Sequence, residues 1–295
     1  MKKMSAFMTT AALTTVLVAC GENESGSESV EGSDSKEISL GHTTYTEATA
    51  FAHLWTQILE EQGYDVTLNS FEKAFIFEGV AGADLDVGFV AWLPFTDDAY
   101  VQKDSEEIEI QEEAVLYEEA TLGIAVPTYM EDIHTIADLQ DYYDELDGTI
   151  TGIDPGAAMM GITEDEVMPH YGLDEFTLSS SSEVAMVQQL DSAYQNEEPI
   201  AVTLWNPHWT FAEYDLKYLE DPDDTFGEPD DIYYMARNGL SEEHPEVVEW
   251  MNNSYFDDET ISELLALQQE LDNEAEVAAT WIEENRDLVD SWINE

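Results

Sequence analysis

From Ile38 onward, short apolar runs alternate with segments of helical period, and this alternation restricts the chain to an α/β architecture. Ile38–Gly41 reads as a strand. Ala48–Gln62 reads as a helix, because Phe51, Leu54, Trp55, Ile58 and Leu59 recur at 3.6 spacing and Gly63 stops it. Tyr64–Leu68 alternates like a strand, and Phe75–Val80 reads as helical. Leu85–Trp92 is apolar almost without interruption, as a buried parallel strand is. A second set follows the strand Gly123–Pro127. It comprises a helix at Ile136–Tyr143, a strand at Thr149–Ile153, a helix at Glu164–His170, a strand at Phe176–Leu178, a helix at Glu183–Asn196 and a strand at Ile200–Trp205. Asp230–Arg237 reads as a strand returning from this second half, and the chain from Glu246 onward reads as helical. Two α/β sets with strand-like crossings near Ile124 and Tyr233 predict two lobes with a cleft between them.

The charge balance excludes several partners. The chain has 295 residues, with 67 Asp and Glu against 8 Lys and Arg, a formal charge of −59. Eight cations cannot build the basic face that nucleic acid requires, nor a polybasic patch for anionic lipid. Disorder is excluded by the apolar content, which is 43% and includes 7 Trp, 14 Tyr and 11 Phe. The acid must therefore coat a folded body, and self-repulsion on that scale is tolerable where salt screens it, the Debye length falling to roughly 3 Å at 1 M. A halophilic protein exposed to salty water is the expectation.

The N-terminus has the form of a signal peptide over residues 1–19: Lys2 and Lys3, an apolar run from Met4 to Ala19, then Cys20. Leu17-Val18-Ala19-Cys20-Gly21 looks like a bacterial lipobox, which predicts a lipid-modified Cys20. Cys20 is the only cysteine, so no disulfide can form within one molecule. Residues 20–36, rich in Gly, Ser and Glu, read as a flexible tether. The expected location is extracytoplasmic, with a lipid anchor on the outer face of the cytoplasmic membrane.

Ligand sites of open α/β sheets lie at the carboxyl ends of strands, and there this chain places aromatics. Tyr45 follows the first strand, Trp92 ends the Leu85 run, and Trp205 is followed by Asn206-Pro207-His208-Trp209. A box of ring faces suits a quaternary ammonium, which has no N–H to donate, and each face contributes ~0.5–2 kcal/mol when desolvated. Gly152-Ile153-Asp154-Pro155-Gly156 is a glycine-rich turn after a strand, whose free backbone N–H groups suit a carboxylate, with His208 as an added donor. After cleavage only Lys36, Lys73, Lys103, Lys217, Arg237 and Arg286 remain as cations, and of these only Arg237 reads as lying at one of these strand ends. Trp55, Trp250, Trp281 and Trp292 read as core, and Trp209 as packing behind the box. Gly-x-Ser-x-Gly and His-Glu-x-x-His are absent from the sequence, and Asp221–Asp224 and Glu228–Asp231 lack a calcium-loop register. Neither catalysis nor a metal or other cofactor is expected.

Gly152-Ile153-Asp154-Pro155-Gly156, Ala91-Trp92-Leu93-Pro94, Trp205-Asn206-Pro207-His208-Trp209 and Leu216-Lys217-Tyr218-Leu219 with Asp221-Pro222 together resemble the substrate-binding lipoproteins of glycine betaine ABC importers. The resemblance runs from about Ile38 to about Trp292. It implies an α/β two-lobed periplasmic-binding-protein fold of type II with a ligand cleft between the lobes, lobe 1 at 37–124 and 232–295 and lobe 2 at 125–231. It implies a cage of Tyr45, Trp92 and Trp205 for trimethylammonium. The carboxylate would meet the Gly152 and Ile153 backbone and His208. It further implies delivery of glycine betaine to an ABC permease and its ATPase subunit, with proline betaine, carnitine or choline as alternative ligands.

Overall fold

The structure, a computed structural model, describes residues 36–103, 106–110 and 114–294. The signal segment, Cys20 and all but the last residue of the tether lie outside the described residues. Ten strands are present among the described residues: β1 (Glu37–His42), β2 (Asp65–Ser70), β3 (Val87–Leu93), β4 (Ile108–Ile110), β5 (Tyr117–Pro127), β6 (Thr149–Thr151), β7 (Thr177–Ser179), β8 (Val202–Asn206), β9 (Leu216–Tyr218) and β10 (Asp230–Arg237). Their order is β2-β1-β3-β10-β5-β8-β6-β7, with β4 beside β10 and β9 beside β5.

Both ends of this sheet are parallel. β1 pairs with β2 and β3 in parallel, and β6 does the same with β7 and β8. The two parallel groups meet through an antiparallel middle, β3-β10-β5-β8. β5 changes partner along its length: Tyr117 and Ala120 pair with β10, whereas Thr121–Ala125 pair with β8. The two strands that cross between the halves are thus those whose sequences suggested it. β3 is buried from Val87 to Trp92, which accounts for its unbroken apolar sequence.

The helices explain why the sheet's faces are covered. α1 (Thr46–Glu61) buries Ala48, Phe51, Leu54, Trp55, Ile58 and Leu59. It stops where Gly63 takes φ +86°, a left-handed turn that glycine enters without a Cβ penalty. α2 (Lys73–Ala81) and α3 (Glu183–Gln195) follow β2 and β7. The tail helices α4 (Asp258–Glu270), α5 (Glu274–Glu284) and α6 (Arg286–Ile293) bring Trp281 and Trp292 onto α1. Phe256 sits between them, 4.8 Å from Phe51, 5.5 Å from Trp281 and 5.2 Å from Trp292 by ring centroids. Each such ring pair adds about 0.5–1.5 kcal/mol beyond its area burial. Trp55, Trp281 and Trp292 are buried as expected, while Trp250 is only half-buried against Tyr64.

Local differences from the expected elements have local causes. The helix read at Glu164–His170 begins earlier, at Ala158, and passes through a wider π turn at Thr163–Val167. Ile136–Tyr142 is a 3₁₀ helix, opened by a capping box in which Thr135 and Asp138 exchange bonds. Asp221 spends its carboxylate on its own turn, accepting from Thr225 Oγ1, the Phe226 N–H and the Tyr171 hydroxyl.

Candidate functional site

The carboxyl ends of β1, β3, β6 and β8 converge, and one cavity between the two halves of the sheet is lined by Tyr45, Trp92, Ile153 and Trp205. Tyr45 and Trp205 meet edge to face at 5.9 Å and 64°. All three aromatics are nearly sealed from bulk solvent. The rest of the lining is Leu122, Thr96, Ala157, Ala158 and Met159, together with two ionisable side chains, Glu47 and Lys73.

Two of the rings are held by a carboxylate at their polar atom, and the backbone of the third, Trp92, is held by another. Trp205 donates its Nε1–H to Glu47 Oε2 at 3.1 Å. The Tyr45 hydroxyl donates to Asp154 Oδ2 at 2.6 Å, and burial with that neighbour holds the phenol's pKa well above its usual range. The Trp92 N–H donates to Asp97 Oδ2 at 3.0 Å, and the Asp97 N–H returns a bond to the Trp92 carbonyl at 2.9 Å. Asp230 fixes the intervening loop, accepting from the Phe95 and Thr96 N–H groups at 2.6 and 3.0 Å. Rings fixed in this way lose little freedom when a ligand arrives.

The start of α1 carries an unusual electrostatic load. Its first N–H, from Thr46, donates to Glu183 Oε2 at 3.0 Å, so a side chain from α3 caps α1 in place of its own Tyr45. The Thr46 hydroxyl also donates to Glu183. Glu47, one residue on, is 2% exposed, and its carboxyl is pushed up to about 8, first by burial and then by the Glu183 charge. Near neutral pH it is mostly protonated.

Two anticipated contacts are placed differently. His208 does not line this cavity. Its Nδ1 accepts from the Thr210 N–H at 3.2 Å and lies 2.8 Å from Thr210 Oγ1, which assigns the proton to Nε2, 3.1 Å from Glu183 Oε1. Both ring nitrogens are spent, so the ring supports Trp205 edge-on at 4.7 Å and has no donor for a carboxylate. Gly152 is likewise behind the wall: its N–H donates to the Ser179 carbonyl at 2.8 Å. Its lack of a side chain is explained by Met160, whose Sδ would lie 2.5 Å from a Cβ there. The Ile153 N–H faces only the Met160 sulfur, at 3.3 Å, a weak acceptor.

Lys73 was missed by sequence reasoning although it stands just past the end of β2, where the same strand-end rule points. Its Nζ is 2.6 Å from Asp97 Oδ2 and the pair is buried. Arg237, the cation expected near a strand end, is instead bound to Asp86 at 2.7 Å and to Glu243. The cavity lining thus carries one cation, Lys73, and one buried acid, Glu47, which is mostly protonated near neutral pH.

A larger groove of about 480 Å³ lies between the Asn206–Glu213 segment and α4. Glu213, Asp258 and Glu270 on its walls would repel a carboxylate.

Rings at strand ends, closing on one small cavity between two α/β halves, define a solute-capture protein of the type II periplasmic-binding-protein fold. The chain belongs to the family of substrate-binding domains of ABC-type glycine betaine transport systems, whose profile matches residues 36–284. Proteins of this family act outside the cytoplasm. The chain is 35% identical over 154 residues to the glycine betaine/carnitine transport binding protein GbuC of Listeria monocytogenes, a match that covers 52% of this chain and 51% of that protein. It thus spans about half the length of that relative. Lactococcal OpuAC, in a closed conformation with glycine betaine, superposes with a TM-score of 0.81 at 30% identity, over 88% of this chain and 99% of that one. A choline-binding protein of an ABC transporter, in complex with choline, gives 0.79 at 25% identity, over 88% and 91%. Among the described residues no helix is long and apolar enough to cross a membrane.

Proposed function

We propose that this protein captures glycine betaine outside the cytoplasmic membrane and delivers it to an ABC permease driven by an ATPase subunit, without catalysing any reaction. The observation that carries the reading is the meeting of Tyr45, Trp92 and Trp205, from both halves of the sheet, on one cavity. Desolvated ring faces bind a trimethylammonium group, and three of them supply a few kcal/mol at ~0.5–2 kcal/mol each. Lobe 1 comprises 37–124 and 232–295 and lobe 2 comprises 125–231, so that ligand binding draws the lobes together and closure signals occupancy to the permease. The Ile153 N–H serves the carboxylate end. Gly152 and His208 shape the wall and do not touch ligand. Cys20 carries the lipid that holds the body on its tether, and the acidic coat fits a salty exterior.

Calorimetric titration of the protein with glycine betaine in molar salt tests the reading. A single saturable site in the wild type, lost in both Trp92→Ala and Trp205→Ala, is the expected outcome. Unchanged binding in both variants would sink the cage. The competing ligand is choline, favoured by the likeness to the choline-binding protein; proline betaine and carnitine likewise join a quaternary ammonium to a carboxylate and belong in the same titration series.

A further inference from the structure

Lys73 and Asp97 form an ion pair in which one oxygen of Asp97 is buried without a partner. Lysine is almost never buried unless paired, and Lys73 is 9% exposed against a fully buried Asp97. An ammonium carries three N–H donors. Asp97 takes one, at 2.6 Å, and no other acceptor meets Nζ among the described residues. Asp97 in turn spends Oδ2 on Lys73 and on the Trp92 N–H, while its Oδ1 is buried without a hydrogen-bond partner.

Position makes the free donors useful. Lys73 lines the cavity beside Trp92 and Trp205, and it also lines a neighbouring cavity beside Tyr45, Ser70 and Asp154. It is the only cation among the residues that line that cavity. Glu47, the one acidic residue of the lining, is mostly protonated near neutral pH. An incoming carboxylate therefore meets one fixed positive charge and no fixed negative one on the cavity wall.

We infer that the Lys73 ammonium is the counter-charge for the ligand's carboxylate, and that it sets a preference for zwitterionic betaines over carboxylate-free cations such as choline. The inference rests on the cavity being a quaternary-ammonium site. In this arrangement Asp97 orients the Lys73 amine and partly offsets its charge, so the empty site is close to neutral. The rings hold the methylated end of the ligand, and a charge-assisted N–H bond from Lys73 holds the other. Choline offers no anion there and leaves the ammonium unpaired beside a second cation.

The test is calorimetric titration of the wild type, Lys73→Met, and the double variant Lys73→Met with Asp97→Asn, each with glycine betaine and with choline in molar salt. Thermal melting checks that each is folded. The single variant strands a buried carboxylate, whereas the double variant removes both charges. The expected result is that the double variant loses tenfold to a hundredfold in glycine betaine affinity, about the weight of one charge-assisted hydrogen bond, and keeps its affinity for choline. A folded Lys73→Met protein, with Asp97 as a lone anion, should bind choline more tightly than the wild type does. A folded double variant that binds glycine betaine like the wild type, or that loses both ligands equally, overturns the inference. Wild type that binds choline but not glycine betaine also overturns it and leaves the aromatic cage standing. Wild type silent to both refutes the cage, and the inference with it.

Discussion

Glu47 makes the stability of this protein depend on pH in a direction that a surface glutamate would not. Its carboxyl titrates near 4.5 when unperturbed and is pushed up to about 8 in the folded protein, first by burial and then by Glu183, with the Trp205 N–H and Lys73 opposing. A raised folded-state value means that the proton favours the fold. This stabilisation is complete below pH 4.5 and is lost as pH rises through about 8. With one pH unit worth ~1.4 kcal/mol between the two values, Glu47 alone removes about 3 kcal/mol of unfolding free energy between pH 5.5 and pH 8. Glu47→Gln keeps a neutral acceptor for Trp205 Nε1 and cannot titrate. Urea unfolding of wild type and variant at both pH values, in molar salt so that surface acids are screened alike, isolates the effect. The wild type should lose about 3 kcal/mol more than the variant, making Glu47→Gln the more stable protein at pH 8. Equal pH slopes would refute a protonated, buried Glu47.

Three further outcomes are expected. With a formal charge of −59, the thermal midpoint should rise by at least about 5 °C from dilute buffer to molar salt, equivalent to roughly 2 kcal/mol for a chain of this size; a flat midpoint would contradict the salt-adapted coat. Phe256→Ala empties the centre of the Phe51, Trp281 and Trp292 cluster and should cost about 3–5 kcal/mol by urea unfolding, whereas a loss below about 1 kcal/mol would mean that the cluster collapses onto the gap. Cys20→Ser should move the protein from the membrane fraction to the soluble fraction, and retention on the membrane would remove Cys20 as the anchor.

Much of the fold was legible because it is written in local periodicity. The buried run at Leu85–Trp92, the α1 stripe with its glycine stop and the crossings at β5 and β10 all depend on residues near one another in sequence. The α/β architecture that those patterns implied, in the type II form that the family resemblance implied, is the fold observed. The site was legible only as far as its strand-end residues. What joins them is long-range: Trp205 reaches Glu47 across 158 positions and Tyr45 reaches Asp154 across 109. Lys73 looks like an ordinary helix-start lysine until Asp97, 24 residues on, is folded beneath it. His208 looks free until Thr210 and Glu183 take both ring nitrogens. Gly152 reads as an exposed anion-binding turn, but β7 takes its N–H and Met160 fills the space over it. Sequence identifies which residue types could recognise a betaine; which of them still have a bond to give is decided by tertiary contacts.

A crystal structure of the protein grown with glycine betaine tests the central claim most directly. The account predicts density for the trimethylammonium group within about 6 Å of the ring centroids of Tyr45, Trp92 and Trp205. Ligand density in the groove between the Asn206–Glu213 segment and α4, with the aromatic cavity left without ligand, would contradict it.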